Sequence, residues 1–137
     1  MRVFLDTNVL VSAFATRGLC ADVLRLVLAE HTFLVGEVVI KEIERVLARR
    51  LRVRPAAIAE VVAFLRDQEV VPRPKHPHPL RLRDESDRWI LASAMAGRAD
   101  VLVTGDRDLL DAAGQAPLPV VDPRGFWMLQ RGAPRDE

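Results

Sequence analysis

The sequence predicts an α/β fold: a three-layer α/β/α sandwich built on a mainly parallel sheet of about five short strands. Three observations carry that prediction. Short apolar runs alternate with longer segments whose apolar residues recur at helical spacing, so that each helix can serve as the crossover that parallel strands require. Two of those runs, Arg2–Leu5 and Val101–Val103, end on a turn and an acid, Asp6-Thr7-Asn8 in one case and Thr104-Gly105-Asp106 in the other. The alternation is interrupted once, by a stretch with four prolines between residues 72 and 79.

The elements follow in order. Arg2–Leu5 is the first strand, and residues 9–15 continue from its acidic end as a short apolar helix that Thr16-Arg17-Gly18 breaks. Residues 20–30 form an amphipathic helix with Val23, Leu24, Val27 and Leu28 on one face. Residues 33–35 are the second strand, closed by Gly36. A helix then runs from Glu37 to about Leu51, with Val39, Ile43, Val46 and Leu47 as its apolar stripe and arginines at its end, where the helix dipole favours cations. Pro55 opens the next helix at a position where a missing N–H costs nothing, and Ile58, Val61, Val62 and Leu65 are its buried stripe.

Val70-Val71 is a third, very short strand. The prolines of residues 72–79 remove donors and restrict their neighbours, so this segment is a loop, and His76 and His78 within it are expected to be exposed. Glu85–Ala96 is a helix that stops at Gly97, well placed as a C-terminal cap. Val101–Val103 and Val120–Val121 are the last strands, with residues 107–113 helical between them. Asp122-Pro123 reads as a cap followed by proline at the first helical position, so residues 124–130 form a final helix. We expect one domain over residues 1–131 and a frayed tail at 132–137; there is no internal repeat.

Composition narrows the function classes. At 137 residues with half of them apolar, the chain is long enough for one sizeable core. Twenty basic against nineteen acidic residues give a net charge of +1, so overall charge does not single out nucleic acid as a partner. Cys20 is the only cysteine, which excludes an internal disulfide and a cysteine-rich zinc site. A strand beginning at residue 2 leaves no room for a signal peptide, and no apolar run nears the ~20 residues of a membrane span. The expected location is the cytoplasm, away from membranes.

The chemistry lies in the acids. A strand that ends on a carboxylate and turns into a helix delivers that carboxylate to the crevice beyond the strand's carboxyl end, where open α/β sheets bind ligands. Asp6 and Asp106 fit that description, and each also fits the plain role of helix N-cap. Asp87 shares a helix face with Ile90, Leu91 and Ala94, an apolar side where a lone carboxylate is costly. Asp84, Glu85 and Ser86 beside it could instead make a capping cluster. The helix from Glu37 offers Glu37, Glu42 and Glu44; Glu42 and Glu44 flank opposite edges of its apolar stripe, so periodicity leaves the choice open.

Four segments resemble the PIN-domain family: Leu5-Asp-Thr-Asn-Val-Leu-Val-Ser-Ala13, Ile40-Lys-Glu-Ile-Glu-Arg-Val-Leu47, Arg83-Asp-Glu-Ser-Asp-Arg-Trp-Ile-Leu-Ala-Ser-Ala94 and Val103-Thr-Gly-Asp-Arg-Asp-Leu-Leu110. The match is best to bacterial members grouped as toxins of toxin–antitoxin pairs, relatives of the VapC-type ribonucleases, and extends from residue 2 to about residue 129. The resemblance implies an acidic quartet of Asp6, Glu42, Asp87 and Asp106 that binds metal and catalyses, with Asn8 and Thr104 as polar residues supporting it. Asp84 and Asp108 fall beside the quartet as possible auxiliaries, with capping or surface roles as their simpler reading. Gly36 departs from relatives that carry a serine there, at a position that holds no metal.

Electrostatics supports a cation. Two carboxylates about 6 Å apart repel by roughly 3 kcal/mol at an effective dielectric of 20, so four ionised together would approach ~17 kcal/mol. That exceeds the stability of a small domain, and such a site must protonate, open or hold a cation. All-oxygen ligands favour Mg²⁺ or Mn²⁺. With no Ser-His-Asp set, hydrolysis would use water activated by the metal, and the resemblance implies an endonuclease acting on RNA, with a cognate antitoxin and a homodimer as expected partners. Arg45, Arg49, Arg50, Arg52 and Arg54 form one basic group, and Arg73, Lys75, Arg81, Arg83 and Arg88 another; either could follow a phosphate backbone or simply be solvated. Trp89, Phe126 and Trp127 are expected in the core or at a dimer surface rather than stacked on bases. A phosphatase of the haloacid-dehalogenase type would need an acid where Asn8 stands, and no glycine-rich phosphate loop is present. The rival from another class is a PIN fold kept as a catalytically silent module that binds RNA or protein.

Overall fold

The structure is a computed structural model, and it describes residues 1–131. The expected frayed tail at 132–137 lies outside the described residues. Five strands, β1 (Arg2–Leu5), β2 (Thr32–Gly36), β3 (Glu69–Val71), β4 (Val101–Val103) and β5 (Val120–Val121), form one sheet in the order β3-β2-β1-β4-β5. All neighbours are parallel, with Val3 opposite Phe33 on one side of β1 and opposite Val101 on the other. Seven helices connect and flank the strands: α1 (Thr7–Ala15), α2 (Leu19–Glu30), α3 (Glu37–Arg45), α4 (Pro55–Arg66), α5 (Glu85–Ala96), α6 (Arg107–Asp111) and α7 (Pro123–Arg131).

The burial of β1 explains the layering. Val3, Phe4 and Leu5 are all fully buried, although successive strand side chains point to opposite faces, so both faces of the sheet are covered. One layer pairs α2 with α7, where Phe126 is wholly buried against the edge of His31; another brings α3 against α4 and α5. The sheet therefore reads as continuous apolar runs rather than as alternating ones, which is why the strands were recognisable by their brevity and their flanking turns.

Two glycines depart from simple expectation. Gly97 closes α5 as expected, yet its φ of −80° is ordinary, and the left-handed step after the helix is taken by Arg98 at φ 55°. What requires glycine at 97 is space: a Cβ there would stand 2.6 Å from Val71 Cγ2. Gly36 is likewise closed in by Phe4, whose Cζ would lie 2.9 Å from an added Cβ. The large ring of Phe4 takes up the room that a side chain at 36 would need.

The helix from Glu37 is not uniform. Its regular part ends at Arg45, and Val46–Arg50 opens into a π-helical turn in which Leu51 N–H donates to Val46 O at 3.1 Å and Val53 N–H to Leu47 O at 2.8 Å. The proline loop is also more ordered than proline content alone suggests. His78 exchanges backbone and side-chain bonds with Arg88 of α5, and its Nδ1 accepts from Leu80 N–H at 3.1 Å. His76 is exposed as expected, whereas His78 is half-buried, because these bonds pin it to α5.

Candidate metal centre

The sheet order places the site. The chain winds from β1 outward through β2 and β3, then returns to the other side of β1 with β4 and β5, so the winding direction reverses between β1 and β4. At such a reversal the helices leaving the two strands diverge, and a crevice opens at their carboxyl ends. Asp6 follows β1 and Asp106 follows the turn after β4; both line that crevice, a cleft of about 810 Å³. Glu42 from α3 and Asp87 from the first turn of α5 line it as well. Four elements thus deliver four carboxylates to one cleft.

For Asp6 and Asp106 the capping and ligand readings prove to be compatible. Asp6 Oδ1 accepts from Thr7 N–H at 2.7 Å at the start of α1, and its Oδ2 accepts from the Thr104 hydroxyl at 2.8 Å. Asp106 Oδ1 accepts from Asp108 N–H at 2.8 Å and more weakly from Leu109 N–H, capping α6. The fully buried Thr104 hydroxyl does two jobs, donating to Asp6 and accepting from Asp106 N–H at 2.9 Å, so one oxygen spaces the two strand ends. Asn8 ties the same ends from outside: its Oδ1 accepts from Gly105 N–H at 2.8 Å and its Nδ2 lies 3.5 Å from both Asp6 Oδ2 and Thr104 Oγ1. Both polar residues thus stand beside the acids.

Asp87 is the most telling group. It is 4 % exposed, and its Oδ2 is buried with no hydrogen-bond partner among the described residues. Asp84, not Asp87, caps α5, accepting from Ser86 N–H at 2.9 Å, so a capping role does not account for Asp87. Burial, then the charges of Asp106, Asp6 and Asp84, push its carboxyl up to about 8. Burial likewise pushes Asp6 up to about 6, against the pull of its Thr104 and Thr7 hydrogen bonds, with Glu42 and Asp106 adding repulsion. Burial first, and the neighbouring carboxylates second, therefore hold protons on Asp6 and Asp87 beyond the usual carboxylate range.

Glu42 is separated from its rivals by geometry. Glu37 is engaged by Arg66 at 2.6 and 2.8 Å, and Glu44 lies within the field of the same arginine, away from the cleft. Asp108 stands nearer the acids than a surface or capping role implies. Carboxylate oxygens of Asp87, Asp106 and Asp108 lie within 4.8 Å of one another, with Asp108 also 3.9 Å from Arg83. Its place two residues beyond Asp106 was the available signal. An orphaned buried carboxylate oxygen, an all-oxygen donor set and two acids holding protons beyond their usual range together fit a hard divalent cation.

Fold and site define a class: parallel α/β proteins with a carboxylate-lined cleft at the strand-order reversal, equipped for a divalent cation. The chain belongs to the PIN-domain family, a nuclease family whose model matches residues 2–108 and so includes all four acids. Among solved structures it is similar to a chain of VapBC2 from Rickettsia felis bound to a DNA fragment from its promoter, with a TM-score of 0.66 and 18 % identity over 89 % of this chain and 98 % of that one. It is similar also to a chain of a toxin–antitoxin complex from Klebsiella pneumoniae, TM-score 0.63 and 20 % identity over 88 % and 97 %. FitAcB from Neisseria gonorrhoeae gives a TM-score of 0.60 and 15 % identity over 89 % and 98 %. At these identities the likeness establishes the fold. No curated protein sequence matches the chain.

Proposed function

We propose that this protein is a divalent-metal-dependent endoribonuclease, the toxin of a toxin–antitoxin pair. The observation that carries the reading is the convergence of Asp6, Glu42, Asp87 and Asp106 on one cleft with Asp87 Oδ2 left unbonded. A catalytically silent binding module has no evident reason to retain that electrostatic cost. Asp6, Glu42 and Asp106 would hold Mg²⁺ or Mn²⁺, with Asp87 completing the oxygen shell or accepting a hydrogen bond from the attacking water. The cation supplies Lewis-acid activation of water and neutralises charge that builds on the phosphate. Thr104 and Asn8 hold Asp6 and the Asp106 turn in register, so the ligands do not reorganise during reaction.

An antitoxin partner is supported by the neighbours, among them a toxin–antitoxin complex from Klebsiella pneumoniae and VapBC2 on a DNA fragment. We further propose a homodimer, action in the cytoplasm, and a catalytic unit contained in residues 1–131. Among the described residues no helix is long and apolar enough to cross a membrane. The test is cleavage of single-stranded and structured RNAs by the purified protein with Mg²⁺ or Mn²⁺. Cleavage that EDTA stops and added metal restores is the expected result; cleavage unaffected by EDTA, or none on any RNA, would overturn the reading.

A further inference from the structure

One wall of the cleft is basic. Arg45, Arg49 and Arg50, from the end of α3 and its π-helical turn, all line the same cleft as the acids, together with apolar Val46 and Leu51. All three arginines are exposed, and among the described residues none of the three guanidiniums takes part in an ion pair or a hydrogen bond. Other arginines are engaged. Arg2 pairs with Glu69, Arg66 with Glu37 and Arg88 with Glu85, and Arg73 stacks on Trp89. Of the basic group around the proline loop, Arg73 and Arg88 are thus engaged within the protein, and none of its members lines the cleft, whereas Arg45, Arg49 and Arg50 do.

The π-helical turn explains how this wall is built. On a regular helix Leu51, nine residues beyond Glu42, would face the opposite side. The wider turn advances less per residue, so Arg50 moves toward the middle of the Glu42 side and Leu51 is carried round to its edge. Such turns cost helix regularity and recur at functional sites. Here the turn puts an exposed leucine and a row of cations beside carboxylates that a polyanion would otherwise avoid. One divalent cation would offset two of the four negative charges, and three guanidiniums more than balance the two that remain, leaving the cleft attractive to a polyanion.

We infer that Arg45, Arg49 and Arg50 form a phosphate track that seats the RNA backbone flanking the scissile phosphodiester, with Val46 and Leu51 as an apolar rest for the ribose or base. The inference rests on the proposed ribonuclease activity and assigns the substrate's backbone to the cleft wall that carries these arginines. These arginines position the substrate and leave the chemistry to the acids.

The experiment compares the parent, Arg45→Ala/Arg49→Ala/Arg50→Ala, the corresponding triple lysine variant, and a control lacking three exposed charges elsewhere, Arg17→Ala/Arg98→Ala/Arg124→Ala. Each is assayed on a fluorescent single-stranded RNA with Mn²⁺ across about 50 to 200 mM salt. The alanine variant is expected to raise KM about tenfold with kcat within about twofold of the parent, and to make log KM against log salt shallower by about 2, at roughly 0.7 per phosphate contact. Lysine should restore much of both, and the control should match the parent. Parent-like KM and salt slope in the alanine variant, an equal loss in the control, or a fall in kcat alone would each overturn the inference while leaving the nuclease intact. RNA parameters unchanged alongside lost binding of a protein partner would assign the arginines to that partner instead. A parent that cleaves no RNA removes the function itself.

Discussion

Thr104 is the residue on which the geometry turns. Its hydroxyl is fully buried, donates to Asp6 and accepts from the backbone of Asp106, so it sets the spacing of two carboxylates from different strands. Thr104→Val keeps the shape but removes both bonds; we expect a stability loss of about 1–2 kcal/mol in urea denaturation and a further rise of the Asp6 pKa. An unchanged midpoint would show that the bridge is dispensable. Sequence alone reached Asp6, Asp87 and Asp106 because each interrupts an apolar pattern with an acid. Glu42 was not distinguishable from Glu37 and Glu44, since which of them lines the cleft depends on how the helix is set against the rest of the fold, and Arg66, which engages Glu37, comes near only on folding. The proximity of Asp108 to Asp87 was not readable for a similar reason: it depends on how α5 meets the turn after β4.

At the scale of elements, helix starts were readable because their chemistry is local. Pro55 opens α4, Asp84 caps α5, and Asp122 accepts from Gly125 N–H at 2.6 Å ahead of α7. The π-helical turn after α3 was not readable, because nothing in the run Val46-Leu-Ala-Arg-Arg50 distinguishes a wide turn from a regular one. Nor was the reason for Gly97, which follows from the approach of Val71 across the junction of α5 and β3 rather than from a left-handed backbone. Gly97→Ala is therefore expected to cost about 1–3 kcal/mol through overpacking, read as a lower thermal or urea midpoint. A neutral effect would mean that β3 yields without penalty. Gly36→Ser should destabilise for the same reason through Phe4.

The fold is held by a sheet buried on both faces, and the raised carboxyls of Asp6 and Asp87 lie in the cleft at the carboxyl end of that sheet. In the unfolded chain an aspartate titrates near ~3.9, whereas the folded protein without cation holds the Asp6 proton to about 6 and the Asp87 proton to about 8. The folded state therefore binds more protons between those limits. The contribution of these two groups to stability is full below about pH 4 and is lost as pH rises through 6 toward 8. We expect the melting temperature of EDTA-treated protein to fall over that interval from this cause, and the stabilisation by Mg²⁺ or Mn²⁺ to be greatest near pH 8, where the cation replaces the protons. Asp87→Asn should raise the metal-free melting temperature at pH 8 and weaken the metal effect; a variant that behaves as the parent does in both respects would place the cation elsewhere. The most direct test of the central claim is a time course of RNA cleavage with Mn²⁺ by the parent and by Asp106→Asn prepared identically. The rate is expected to be lower by about 100-fold or more in the variant, with an unchanged circular dichroism spectrum. Cleavage by Asp106→Asn at the parental rate would contradict that claim.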